Sequence, residues 1–158
     1  MNSAKVIQVI GPSFTGKTYL ISRLIVDFND FHIINFEKHF VRNSCKDGYM
    51  SFYRDILDKL KSNKNIICES VYGFSNNPFL KLDLKEYLTI LCWPTLNNHK
   101  RYVEKYRANH SKKDVTYRLG SLHIEKIRLN YNCNFPSHIY DGINYNKIKK
   151  LVGDYVKS

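Results

Sequence analysis

The chain has 158 residues, 43% of them hydrophobic, with 25 Lys and Arg against 14 Asp and Glu and a net charge of +11. That length suits one folded domain with its own core, and that apolar content excludes a disordered tail. No apolar run approaches the ~20 residues that cross a bilayer as a helix.

The opening MNSAKVIQVIG is too short and too strand-like for a secretory leader, so a cytoplasmic protein is expected. KVIQVI, residues 5 to 10, is a β-branched run suited to a buried strand. GPSFTGKT follows, from Gly11 to Thr18, and fits G-x-x-x-x-G-K-[ST]. A triphosphate needs many donors aimed at one point. A glycine-rich turn running into a helix N-terminus supplies them as a positive concavity. The expected cradle is Gly11, Pro12, Ser13, Phe14, Thr15, Gly16, Lys17 and Thr18, binding ATP. In it Lys17 reaches the β- and γ-phosphates and the Thr18 hydroxyl holds Mg²⁺. TYLISRLIVDF then places Leu20, Ile21, Leu24 and Ile25 at helical spacing.

FHIINF, residues 31 to 36, reads as a second strand ending at Glu37. MSFYRDILDKLKS, residues 50 to 62, is amphipathic, with Phe52, Ile56, Leu57 and Leu60 on one side. NIICES, residues 65 to 70, is a third strand. Pro78 opens a short segment with helical potential, and EYLTILCW, residues 86 to 93, is a fourth strand stopped by Pro94. A helical pattern from about Thr95 to Asn109, a polar break ANHSKKD and a second pattern ending near Tyr131 form a basic helical lid over residues 95–131. HIYDG, residues 138 to 142, is a fifth strand, and INYNKIKKLVGDYV closes the chain as an amphipathic helix. Strands separated by helices imply an α/β fold: a three-layer sandwich with a five-stranded parallel sheet, in one domain. Cys68 and Cys92 lie in apolar runs. With Cys45 and Cys133, which show no metal-ligand spacing, they read as reduced thiols.

In an open parallel sheet the site lies beyond the carboxyl ends of the strands. Glu69 ends strand three, where an acid can orient Mg²⁺ or its waters, unless it is simply a charge leaving the core. Glu37 ends strand two, where an acid can accept the proton of an acceptor hydroxyl, unless it is a solvent-facing loop acid. Asp141 reads as structural, in an Asx turn with Gly142. Arg101, Arg107 and Arg118 in the lid can offset charge on a transferring phosphoryl group, although each also fits a solvated helix face. Arg42, Arg54 and Tyr72 lie just beyond strands two and three, as an acceptor site would. The charge excess favours a polyanionic partner, DNA first. The chain is also rich in Asn, Lys, Ile and Tyr, as an A/T-rich genome encodes, which accounts for a lysine excess without any partner.

GPSFTGKT, INFEKHF, IICESVYG and the basic lid together resemble small P-loop kinases of the polynucleotide kinase and nucleoside/nucleotide kinase group. The resemblance spans nearly the whole chain, but only the first motif is highly specific. It implies an ATP- and Mg²⁺-dependent kinase with Glu37 as base, at a place where the polynucleotide kinases usually carry Asp. Cys68 to Ser70 resembles the ERS motif of deoxynucleoside kinases without its Arg, and the DRY/H motif of thymidylate kinases is absent. Size and charge are similar to phage kinases that phosphorylate 5-hydroxymethyluracil within DNA, which makes a hydroxyl on DNA the expected acceptor. The alternatives are a free nucleoside or nucleotide, or a nucleotide-binding module without phosphate transfer. A GTPase is not expected, because no N-K-x-D motif is present.

Overall fold

A computed structural model describes residues 3–40, 45–71, 87–116, 119, 122 and 138–158, with the side chains of Phe40, Cys45 and Lys46 outside that set. Five strands form one parallel sheet: β1 (Val6–Ile10), β2 (Phe31–Asn35), β3 (Asn65–Ser70), β4 (Leu88–Cys92) and β5 (Ile139–Tyr140). Their order is β2-β3-β1-β4-β5. The helices are α1 (Lys17–Asp27), α2 (Phe36–Phe40), α3 (Cys45–Lys61), α4 (Leu96–Asn109) and α5 (Tyr145–Lys157). Residues 112–116 are also helical.

The central position of β1 explains its sequence. It pairs with β3 on one side and β4 on the other, and all five of its residues are buried. A parallel strand with both neighbours present and helices on both faces reads as a continuous apolar run. Its one polar residue, Gln8, donates from Nε2 to the Thr89 hydroxyl on β4.

Side-chain alternation then divides the core into two. On one face Ile7, Val9, Ile67 and Ile90 meet Leu20, Ile21 and Leu24 of α1 and Tyr145, Ile148 and Val152 of α5. On the other, Val6, Ile34, Ile66 and Cys68 meet Phe52 and Ile56 of α3. Each fully buried side chain of this size contributes about 1.5–3 kcal/mol of transfer free energy. Helices on both faces of the sheet make the expected three layers.

Several boundaries differ from the sequence reading. Strand two stops at Asn35, and Phe36 and Glu37 belong to the first turn of α2. Phe36 turns inward, 4.6 Å from the Tyr49 ring and 5.3 Å from Phe52, so packing ends the strand early. Helix α3 begins at Cys45 rather than Met50; Gly48 inside it weakens the local helical signal. The fourth and fifth strands are shorter than expected. Asp141 does form an Asx turn: its Oδ1 accepts from Ile143 N at 2.8 Å and Asn144 N at 2.9 Å, leading into α5. Cys68 and Cys92 are buried free thiols. The segment around Pro78, Cys133 and most of the second lid pattern lie outside the described residues. Among the described residues, no helix is long and apolar enough to cross a membrane.

Candidate active site

The glycine loop leaves the carboxyl end of the central strand and enters α1 directly. Gly11 has φ 151°, and a Cβ there would stand 2.6 Å from the Cys92 carbonyl oxygen and 2.9 Å from Thr15 Oγ1. The loop therefore passes against β4 with no room for a side chain. Gly16 caps α1 in the left-handed region at φ 85°, and no side chain caps that end of the helix. A helix start of this kind can offer its first N–H groups to an anion. Thr15 is buried and donates from Oγ1 to the Pro12 carbonyl at 2.8 Å, which fixes the loop's curvature. Phe14 stands at the tip with φ 63°. Lys17 folds over the loop: its Nζ donates to Gly11 O at 2.9 Å and Pro12 O at 2.8 Å.

Parallel pairing sets Glu69 beside the end of β2, one residue before the helix that carries Glu37. Asn35 of β2 and Val9 of β1 both lie opposite Glu69 of β3. Paired residues of parallel strands point to the same face, here the face covered by α1. Thr18, in the first turn of α1, donates to Glu69 Oε1 at 2.7 Å, and Asn35 Nδ2 donates to Glu69 Oε2 at 2.9 Å. Asn35 Oδ1 accepts from the backbone N–H of Glu37 at 2.8 Å. One hydrogen-bonded chain therefore runs from the phosphate loop, through Glu69, to the helix that carries Glu37.

Glu69 is only 8% exposed. Among the described residues its hydrogen-bond partners are the neutral donors of Thr18 and Asn35. The oxygens of Glu69 and Thr18 are hard donors that fit Mg²⁺. Among the described residues no group of three or more His, Cys, Asp or Glu could hold a metal ion.

The side chain of Glu37 is exposed. Its helix α2 is tied to α3 through His39, whose Nδ1 lies 2.8 Å from Ser51 Oγ and whose Nε2 lies 3.3 Å from Asp55 Oδ2. Arg54 is exposed on α3. Arg42, Tyr72 and Arg118 lie outside the described residues.

Helix α4 covers the loop through residues that sequence reasoning did not single out. Tyr102 packs over Gly16, where a Cβ would lie 3.5 Å from its ring. Tyr106 meets Phe14 edge-on at 5.0 Å and stacks on His110 at 3.7 Å. Tyr102 and Asn98 also abut Gly142, in the turn before α5. The spacing of four between Tyr102 and Tyr106 was the available signal, since such pairs share a helix face. Arg101 and Arg107 are exposed. At 3.6 residues per turn they lie about 100° and 140° round the helix from Tyr102, off the face that touches the loop. A pocket beside the loop is lined by Pro12, Thr15, Trp93, Pro94, Leu96 and His99.

Burial pushes the Cys92 thiol, behind Gly11, up to about 12. It also raises Cys68 on β3. Neither thiol is an ionised nucleophile near neutral pH.

No protein-family profile matches the chain, and no curated protein matches it. Solved structures do. A candidate kinase from Chloroflexus aurantiacus J-10-fl superposes with a TM-score of 0.64 at 16% identity, over 99% of this chain and 98% of that one. A sugar kinase from Janibacter sp. HTCC2649 gives 0.62 at 10% identity over 98% and 95%. Shikimate kinase from Bacteroides thetaiotaomicron gives 0.57 at 10% identity over 98% and 99%. At such identities the likeness is one of fold alone, an α/β fold with a five-stranded parallel sheet, matched over nearly the full length of both chains.

Proposed function

We propose that this chain is an ATP- and Mg²⁺-dependent kinase that transfers the γ-phosphate to an alcohol. The observation that supports the reading is the bonded chain from Thr18 through Glu69 and Asn35 to the backbone N–H of Glu37, which ties the glycine loop to the start of the helix that carries the proposed base.

In this reading the loop amides and the α1 N-terminus hold the triphosphate. Lys17 exchanges the Gly11 and Pro12 carbonyls for phosphate oxygens. Thr18 and Glu69 hold Mg²⁺, which when bound neutralises charge on the phosphates. Glu37 accepts the proton of the acceptor hydroxyl as its oxygen attacks phosphorus in line. Arg101, Arg107 and Arg118 remain the candidates to offset the developing charge, which for Arg101 and Arg107 requires α4 to turn from the arrangement described above, and Arg42, Arg54 and Tyr72 remain the candidates to bind the acceptor, with Arg42, Tyr72 and Arg118 outside the described residues.

Two acceptors are argued from different observations. A small molecule or nucleotide is supported by the full-length fold likeness to a sugar kinase and a shikimate kinase. A hydroxyl on DNA, either a modified base such as 5-hydroxymethyluracil or a polynucleotide end, is supported by the charge of +11. Lys100, Arg101, Lys105, Arg107, Lys112 and Lys113 are all exposed along α4 and the residues after it, against the exposed acids Glu104 and Asp114, an excess of the sign that a polyanion attracts.

The test is to incubate the protein with γ-labelled ATP and, in parallel, nucleosides, nucleotides, small polyols, plain DNA ends and hydroxymethylated DNA. Label on a free small molecule supports the first acceptor; label on DNA supports the second. Nucleotide binding with no transfer to any of them identifies a non-catalytic module. Glu37→Gln should lower transfer by about 10²–10⁴-fold with ATP binding retained. Undiminished transfer removes Glu37 from the role of base.

A further inference from the structure

We infer that Asn35 is a positioning residue: a two-ended amide that holds the metal-side carboxylate and the helix of the acceptor-side acid as one rigid unit. The inference rests on the kinase reading above.

Both ends of the Asn35 amide are committed. Its Oδ1 faces the backbone N–H of Glu37, which can only donate, and its Nδ2 faces the Glu69 carboxylate, which can only accept. The orientation of the amide is therefore dictated by its partners. Few other side chains do both jobs at this length. Asp offers two acceptors, Leu offers neither group, and Gln carries the amide one methylene too far. Asn35 is also the last residue of β2, opposite Glu69 in the pairing, so the backbone fixes the amide's starting point.

Each bond has a separate consequence. The bond to the Glu37 N–H caps the start of α2, which any short acceptor side chain can do. The bond to Glu69 is specific to the amide. Glu69 is 8% exposed and is held at one oxygen by Thr18 and at the other by Asn35. Losing the second donor leaves a buried carboxylate oxygen unsatisfied and lets the group turn away from Thr18. Partners of metal ligands act this way elsewhere, and removing them costs about 10–100-fold in metal affinity.

Asn35→Ser and Asn35→Ala separate the two roles. Serine keeps a helix cap and adds no charge, but is too short to hold Glu69 as well; alanine loses both bonds. Binding of a non-hydrolysable ATP analogue (AMP-PNP) is measured by calorimetry in EDTA and over a series of Mg²⁺ concentrations, with circular dichroism to establish folding. Both variants are expected to bind the metal-free analogue within about twofold of the parent. Both should need about 10–100-fold more Mg²⁺ for the same enhancement. The positioning role is overturned if the serine variant, with its cap retained, shows the parent's Mg²⁺ dependence. It is equally overturned if affinities with and without Mg²⁺ fall by one common factor, as general loosening produces. If the parent protein itself binds the analogue no better with Mg²⁺, the kinase reading fails and this inference falls with it.

Discussion

The glycines of the phosphate loop are required for different reasons, and substitutions separate them. At Gly11 an added methyl meets the backbone carbonyl of Cys92 at 2.6 Å, an atom held in the sheet that cannot retreat. At Gly16 the nearest contact is the Tyr102 ring at 3.5 Å, an ordinary distance, so only the φ of 85° is unfavourable. Gly16→Ala should cost about 1–2 kcal/mol, the penalty of a left-handed L-residue. Gly11→Ala adds a steric clash and should cost more and distort the loop. Denaturant unfolding of both variants measures the order, and equal losses would contradict the geometry. Phe14 already accepts a left-handed φ without being glycine. Its edge-on contact with Tyr106 helps to compensate, since such aromatic pairs contribute about 0.5–1.5 kcal/mol.

Among the elements, α1 and α5 share more than apolar surface. Asp27, at the end of α1, receives a 2.8 Å bond from Lys149 Nζ and another from the Tyr145 hydroxyl, both on α5. The bond from Lys149 first, then that from Tyr145, holds the Asp27 carboxyl below its ordinary value of 3.8. A carboxylate depressed in the folded state stabilises it above the ordinary value, and that contribution is lost as pH falls through the lower, folded one. Asp27→Asn should therefore be less stable than the parent near neutral pH, and the gap should close as pH drops below about 4. Urea midpoints for the two proteins from pH 7 to pH 3 check this; a constant gap would show that the charge of Asp27 is not the cause. Arg23 stacks over the Tyr145 ring at 3.5 Å, on the same seam between the two helices.

For the molecule as a whole, the two cores reach solvent only when the sheet opens, and the cysteines report that event. Cys68 and Cys92 have no measurable exposure, and burial raises both thiols, Cys92 to about 12. Iodoacetamide at pH 8 should leave both untouched in the native protein and modify both in denaturant, with peptide mass spectrometry locating the label. Rapid native labelling of either would place it in a locally opening segment rather than the cooperative core. The phosphate loop, the order of the five strands along the chain and the three main amphipathic helices were legible in the sequence. Each is written locally, in glycine spacing, in β-branched runs, or in a period of 3.6. The placement of Glu37 was not, because the inward pull of Phe36 onto Tyr49 and Phe52 converts a strand end into a helix start. Nor was Asn35, whose amide acquires a task only when parallel pairing sets it opposite Glu69. Nor were Tyr102 and Tyr106, which matter because α4 folds back across the loop. The sequence by itself thus determined where the glycine loop lies and which segments would be buried, since backbone conformation and hydrophobic period depend on near neighbours. Only the tertiary structure decided which side chains meet, because register and helix packing join residues as far apart as Thr18 and Glu69, and no local pattern encodes that distance.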